Sequence, residues 1–71
     1  MSKTLEELGY KKIETKDYVS FWHEDKNIIF DKHRREIEAD KFVPNGILRV
    51  SNITMEELKA IYKWCEDNKW I

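Results

Sequence analysis

A chain of 71 residues with a single cysteine cannot cross-link itself, and that narrows what it can fold into. Cys65 leaves no internal disulfide, the staple on which small secreted domains usually depend. The chain is therefore expected to work in a reducing, cytoplasmic setting. A chain this short buries only about 60% of the surface that its unfolded form exposes. Its core must be dense, or a partner must complete it. Three Trp, three Tyr and three Phe supply the material, since each aromatic ring can bury ~150–250 Å². No apolar run approaches the ~20 residues of a membrane-spanning helix. The opening residues, Met1 to Glu7, lack the apolar stretch of a signal peptide. Thirteen basic and fourteen acidic side chains leave a formal net charge of −1. That balance predicts no strong non-specific pull toward nucleic acid or an anionic membrane.

The local patterns predict one α+β domain over residues 1–71. Thr4 and Glu7 form a capping box and Gly9 suits a helix end, which predicts a short N-terminal helix. Tyr18–His23 is aromatic and β-branched and reads as a strand. The polar turn Glu24–Asn27 leads to a second strand over Asn27–Asp31. The turn Lys32–Arg35 leads to a third, Glu36–Lys41, with Ile37 and Ala39 on its inner face and acids on its outer face. Phe42-Val43-Pro44-Asn45-Gly46 is a strong turn signal. Residues 47–50 can add an edge strand or remain a loop. The expected architecture is thus a three- or four-stranded antiparallel meander, with a C-terminal helix packed on one face.

That helix has the clearest signature. Thr54 and Glu57 form a capping box, and Ile53 can staple onto Leu58. Leu58, Ile61, Tyr62 and Cys65 share one face at helical spacing, while Glu56, Lys59, Lys63 and Glu66 point away. Asn68 is placed to end the helix, with Trp70 and Ile71 folding back as a lid. On the sheet, Tyr18 and Trp22 oppose Val19 and Phe21, and Ile29 opposes Ile28 and Phe30. Both faces are therefore partly apolar, yet one long helix covers only one. The uncovered face is expected to receive a partner or a second copy.

Chemistry-bearing residues are sparse. His23, His33 and Cys65 lie on different elements and do not form a metal-ligand set, so no metal or cofactor is expected. Cys65 reads as a buried core residue, and the carboxylates pair off as caps or exposed strand faces. Gly9 and Gly46 are the only glycines, too few for a phosphate-cradling loop. No catalytic residues are assigned. Trp22 and Trp64 are the aromatic candidates for contact with a protein partner, since tryptophan and arginine dominate binding hot spots. Arg34 and Arg35, on the basic hairpin, are the polar candidates. The same hairpin, 32–35, supports an alternative reading as a small nucleic-acid-associated regulator. A further alternative is a structural protein that self-associates through the open sheet face.

Leu8-Gly9-Tyr10-Lys11-Lys12 precedes an aromatic strand, and Ile29-Phe30-Asp31 precedes a basic hairpin. Ile53-Thr54-Met55-Glu56-Glu57-Leu58-Lys59-Ala60-Ile61 opens a helix that ends near a tryptophan. In these features the chain resembles small phage and prophage proteins of low-GC Gram-positive bacteria. The resemblance spans most of the chain and rests on composition. It implies a phage accessory protein in a bacterial host cytoplasm, acting by binding a host or phage protein. Inhibition of a host defence enzyme, in the manner of an anti-CRISPR protein, is one such role. It needs anchors and no catalytic groups.

Overall fold

A computed structural model describes residues 3–48 and 52–71. The order of elements is β1 (Lys11–Glu14), β2 (Tyr18–His23), β3 (Lys26–Asp31), β4 (Glu36–Val43), β5 (Gly46–Leu48) and α1 (Met55–Asp67). The strands form one antiparallel sheet in the order β1-β2-β3-β4-β5, a simple meander. The α+β class and the meander agree with the sequence.

Several boundaries differ. β1 was hidden in the sequence because Lys-Lys-Ile-Glu is short and exposed at all four positions. Its pairing with β2, Lys11 opposite Trp22 and Glu14 opposite Val19, makes it a strand. The turn before β3 shrinks to Glu24-Asp25, with Glu24 at φ 55, so Lys26 and Asn27 both lie in the strand. β4 runs on to Val43, leaving Pro44-Asn45 as the turn into β5. Ile47 does pair into the sheet, opposite Phe42. The rest of the expected edge segment, Arg49 and Val50, lies outside the described residues.

The N-terminal helix is not formed, although both of its end signals are real. Thr4 N–H donates to Glu7 Oε1 (2.9 Å), and Glu7 N–H donates to Thr4 Oγ1 (3.1 Å). At the other end, Tyr10 N–H donates to the Leu5 carbonyl and Gly9 N–H to that of Glu6, both at 3.0 Å. These are the start and stop hydrogen bonds of a helix with only one turn between them. Gly9 holds φ 102, and a Cβ there would stand 3.1 Å from Cε1 of the His23 ring. The turn is therefore held close against the end of β2, and it places Leu5 in the core.

The strand register sorts side chains onto two faces. Val19 lies opposite Phe30 and Phe21 opposite Ile28, and all four are buried. On β4, Ile37 and Ala39 share this face, as expected. Helix α1 covers it with Ala60, Ile61, Trp64 and Cys65. Phe30 is fully buried. It stacks on Trp64 at 3.9 Å between centroids and meets Phe21 and Trp70 edge-on. Trp70 does fold back, whereas Ile71 is 69% exposed. Asn68 is not the left-handed residue: it has φ −100, and Lys69 takes the left-handed place at φ 60. Trp70 N–H then reaches the Cys65 carbonyl (2.8 Å), and Lys69 N–H reaches that of Glu66.

The helix is also rotated from the expected face. Leu58 is 49% and Tyr62 57% exposed, while Glu57 is buried. Counting apolar residues alone misplaces the face because a carboxylate in the first turn takes one of the inward positions. Glu57 accepts hydrogen bonds from the Tyr10 hydroxyl, the Lys26 ammonium (2.8 and 3.1 Å) and the Thr54 N–H (2.8 Å). A buried carboxylate supplied with this many donors can remain ionised.

Candidate functional site

The sheet face away from α1 carries Lys11 and Ile13 of β1, then Tyr18, Ser20 and Trp22 of β2. It continues through Asn27, Ile29 and Asp31 of β3, and Glu36, Glu38, Asp40 and Phe42 of β4, to Ile47 of β5. Ile13, Tyr18 and Ile47 are exposed, and Trp22, Ile29 and Phe42 are half-buried.

Two side chains organise one end of this face. Trp22 and Phe42 stand on strands separated by β3, yet their rings stack at 4.9 Å with 14° between planes. To meet, they must reach across two strand spacings, about 9–10 Å. They pass over Asn27, the residue paired with Trp22 on one side and Asp40 on the other. Asn27 and Asp40 are each 4% exposed and Ser20 3%, although α1 packs on the opposite face. Ser20 Oγ donates to Asn27 Oδ1 at 2.7 Å, which satisfies both groups beneath the rings. The result is a preformed aromatic plate on a rigid polar floor.

Toward the other end of the face, at the β3–β4 turn, lies an open depression of about 570 Å³, lined by Ile29, Asp31, Arg34, Glu36, Ile37 and Glu38. Asp31 turns the chain here, accepting from the His33 (2.9 Å) and Arg34 (3.1 Å) N–H groups. The Arg34 hydrogen bond is the main force holding the Asp31 carboxyl below its ordinary pKa. The face as a whole sets Asp31, Glu36, Glu38 and Asp40 against Lys11 and Arg34.

The four candidate binding residues divide between the two sides. Trp22 and Arg34 both lie on the open side, at opposite ends: Trp22 at the β2–β3 hairpin and Arg34 in the β3–β4 turn. Trp64 lies on the other side, stacked on Phe30 and edge-on to Trp70, half-buried against the core. Arg35 also turns that way, with its guanidinium carbon 6.0 Å from the Trp70 ring centre and Nη1 3.5 Å from the Lys69 carbonyl. The rest of the basic hairpin is engaged as well. Lys32 binds Glu14 (2.9 Å) and the Thr15 carbonyl (2.7 Å), and His33 meets Asp17 at 2.7 Å. Phe42 and Ile13 were missed by sequence reasoning. Phe42 continues the outward alternation of Glu36, Glu38 and Asp40, a signal masked by the strong turn signature that follows it.

The buried cluster of titratable groups formed by Tyr10, Lys26 and Glu57 has a structural chemistry. Burial pushes the Glu57 pKa up, but the hydrogen bonds from Lys26, Tyr10 and Thr54 and the Lys26 charge outweigh it and hold the group at about 2. Burial, followed by the Glu57 hydrogen bond, drives the Tyr10 pKa upward. Burial likewise raises the Cys65 thiol, which disfavours the reactive thiolate. Among the described residues, no three His, Cys, Asp or Glu side chains gather as a metal site. Among the described residues, no helix is long and apolar enough to cross a membrane. No family model, curated protein or solved structure matches the chain.

Proposed function

We propose that this chain is a non-catalytic protein-binding module that docks a partner on the open face of its sheet. The observation that carries the reading is the Trp22–Phe42 plate, on a face that also exposes Ile13, Tyr18 and Ile47. Large aromatic anchors on a rigid, partly apolar surface with a polar rim are the usual makings of a protein interface. Tyr18, Trp22 and Ile29 supply the apolar contact in this account, and Arg34 the polar one. The phage resemblance adds a setting, in which the partner is a bacterial host protein and binding blocks it.

The alternative of a nucleic-acid regulator is less well supported. Its basic hairpin spends Lys32, His33 and Arg35 on internal contacts. The acids of the open face would also repel a phosphate backbone.

The test is affinity capture from nuclease-treated Gram-positive host lysate, comparing the natural chain with a Trp22→Ala, Ile29→Lys variant. The expected result is one stoichiometric protein held by the natural chain and lost from the folded variant. Identical captures by both, or capture that needs nucleic acid, would refute the reading.

A further inference from the structure

Helix α1 presents apolar side chains in two directions. One set faces the sheet. The other, Met55, Leu58 and Tyr62, is 67%, 49% and 57% exposed. Single apolar residues on a surface need no explanation. These three are spaced three and four residues apart, so they form one continuous stripe along the helix. Ile53, 41% exposed just before the cap, stands at the same end. The stripe exists because Glu57 occupies the inward position and turns Leu58 and Tyr62 outward.

The flank of this stripe away from the sheet carries Lys59 and Glu66. They are two turns apart and nearly in line, within about 20° around the helix axis. A second copy laid antiparallel, with its two-fold axis near Tyr62, sets each Lys59 against Glu66 of the other copy. A parallel two-fold copy turns this flank to the opposite side of the pair, so the two charges find no partner there. The flank is thus complementary to itself in one orientation only. We propose that Met55, Leu58 and Tyr62 form a two-fold interface with a second copy of this chain, helices antiparallel, flanked by two Lys59–Glu66 pairs.

The stripe offers only a few hundred Å² per copy, below the roughly 1,000 Å² total of a stable specific interface. The dimer is therefore weak, with a Kd on the order of 10–100 µM. In it the helices lie inside and the two open sheet faces point outward. A two-fold-symmetric target would then be gripped at two points, with a gain in avidity.

Sedimentation equilibrium over roughly 5 µM to 1 mM tests the interface by mass action. The mass is expected to rise from 8.7 kDa toward twice that value. Leu58→Glu, at a half-exposed position, is expected to keep the far-ultraviolet spectrum and remain a monomer throughout; if it does not fold, Tyr62→Ser takes its place. Lys59→Glu is expected to weaken the dimer about tenfold, and Lys59→Glu with Glu66→Lys to restore it, because the swapped pair is complementary again. A natural chain that is monomeric at every concentration overturns the proposal. So does a dimer indifferent to the stripe variant, or a double charge swap as weak as the single one.

Discussion

Replacing Glu57 by Gln removes the charge buried under the first turn of α1 while keeping the size and shape of the side chain. The amide oxygen can still accept from the Thr54 N–H, so the helix cap is retained. What is lost is the ionic partner of Lys26, whose side chain is only 23% exposed. The magnitude follows from the shifted acidity. Glu57 has an ordinary pKa of 4.5 and titrates at about 2 in the folded chain. Each unit of such a shift corresponds to about 1.4 kcal/mol, so ionised Glu57 favours the fold by on the order of 3 kcal/mol at neutral pH. A domain of this length has a total stability of roughly 4–10 kcal/mol. The substitution therefore removes a large fraction of it, and Tm should fall by on the order of 10–20 °C.

The pH dependence separates this account from a simple packing defect. The folded-state pKa lies below the unfolded one, so the unfolded chain binds the proton first as pH falls. Stability from Glu57 is complete above about pH 5.5 and is lost between there and about pH 2. At pH 3 less than half of the neutral-pH difference between the natural chain and the variant should remain. Urea titrations followed by tryptophan fluorescence at pH 7, 4 and 3 give the difference directly. A variant whose deficit is the same at pH 7 and pH 3, or that has no deficit at pH 7, would refute the reasoning.

Further substitutions probe other parts of the structure by the same urea titration. Trp64→Ala removes the ring stacked on Phe30 and is expected to cost about 3–5 kcal/mol, while Trp22→Ala, on the half-buried open face, should cost well under half as much; equal losses would contradict the division between core and docking face. Gly9→Ala places a Cβ against the His23 ring at positive φ and should cost about 1–2 kcal/mol, with His23→Ala in the same chain recovering part of the loss. Thr54→Ala should cost about 1 kcal/mol as a lost helix cap, and a larger loss than Thr4→Ala is expected, since the Thr4 box caps only one turn.

Much of the fold was legible because period-2 and period-3.6 patterns report directly on burial. The alternation in Tyr18–His23 and Glu36–Lys41 correctly separated the two faces, and the Thr54–Glu57 box located the helix start. What was not legible depended on tertiary pairing. Lys11–Glu14 has no strand signature and becomes a strand only because β2 offers an edge. The Thr4 box and the Gly9 stop were both readable, but no local rule weighs one turn of helix against none. The helix face was misjudged because Glu57 is burial-compatible only in the company of Tyr10 and Lys26, which are 47 and 31 residues away in the chain. On the candidate site, the placement of Trp22 and Arg34 on the side away from α1 was legible. Phe42, hidden inside a turn signature, was not, and neither was the use of Trp64 as core.

The open sheet face thus carries a stacked aromatic pair above a buried polar floor, bordered by apolar and acidic side chains. Its role as a docking site is the central claim, and a photo-cross-linking scan tests it most directly. p-Benzoylphenylalanine is placed at Tyr18, on the open face, or at Glu6, on the exposed N-terminal turn, and the chain is irradiated in host lysate. The account predicts one dominant protein adduct from position 18 and none of that mass from position 6. Adducts of equal yield from both positions, or none from position 18, would contradict it.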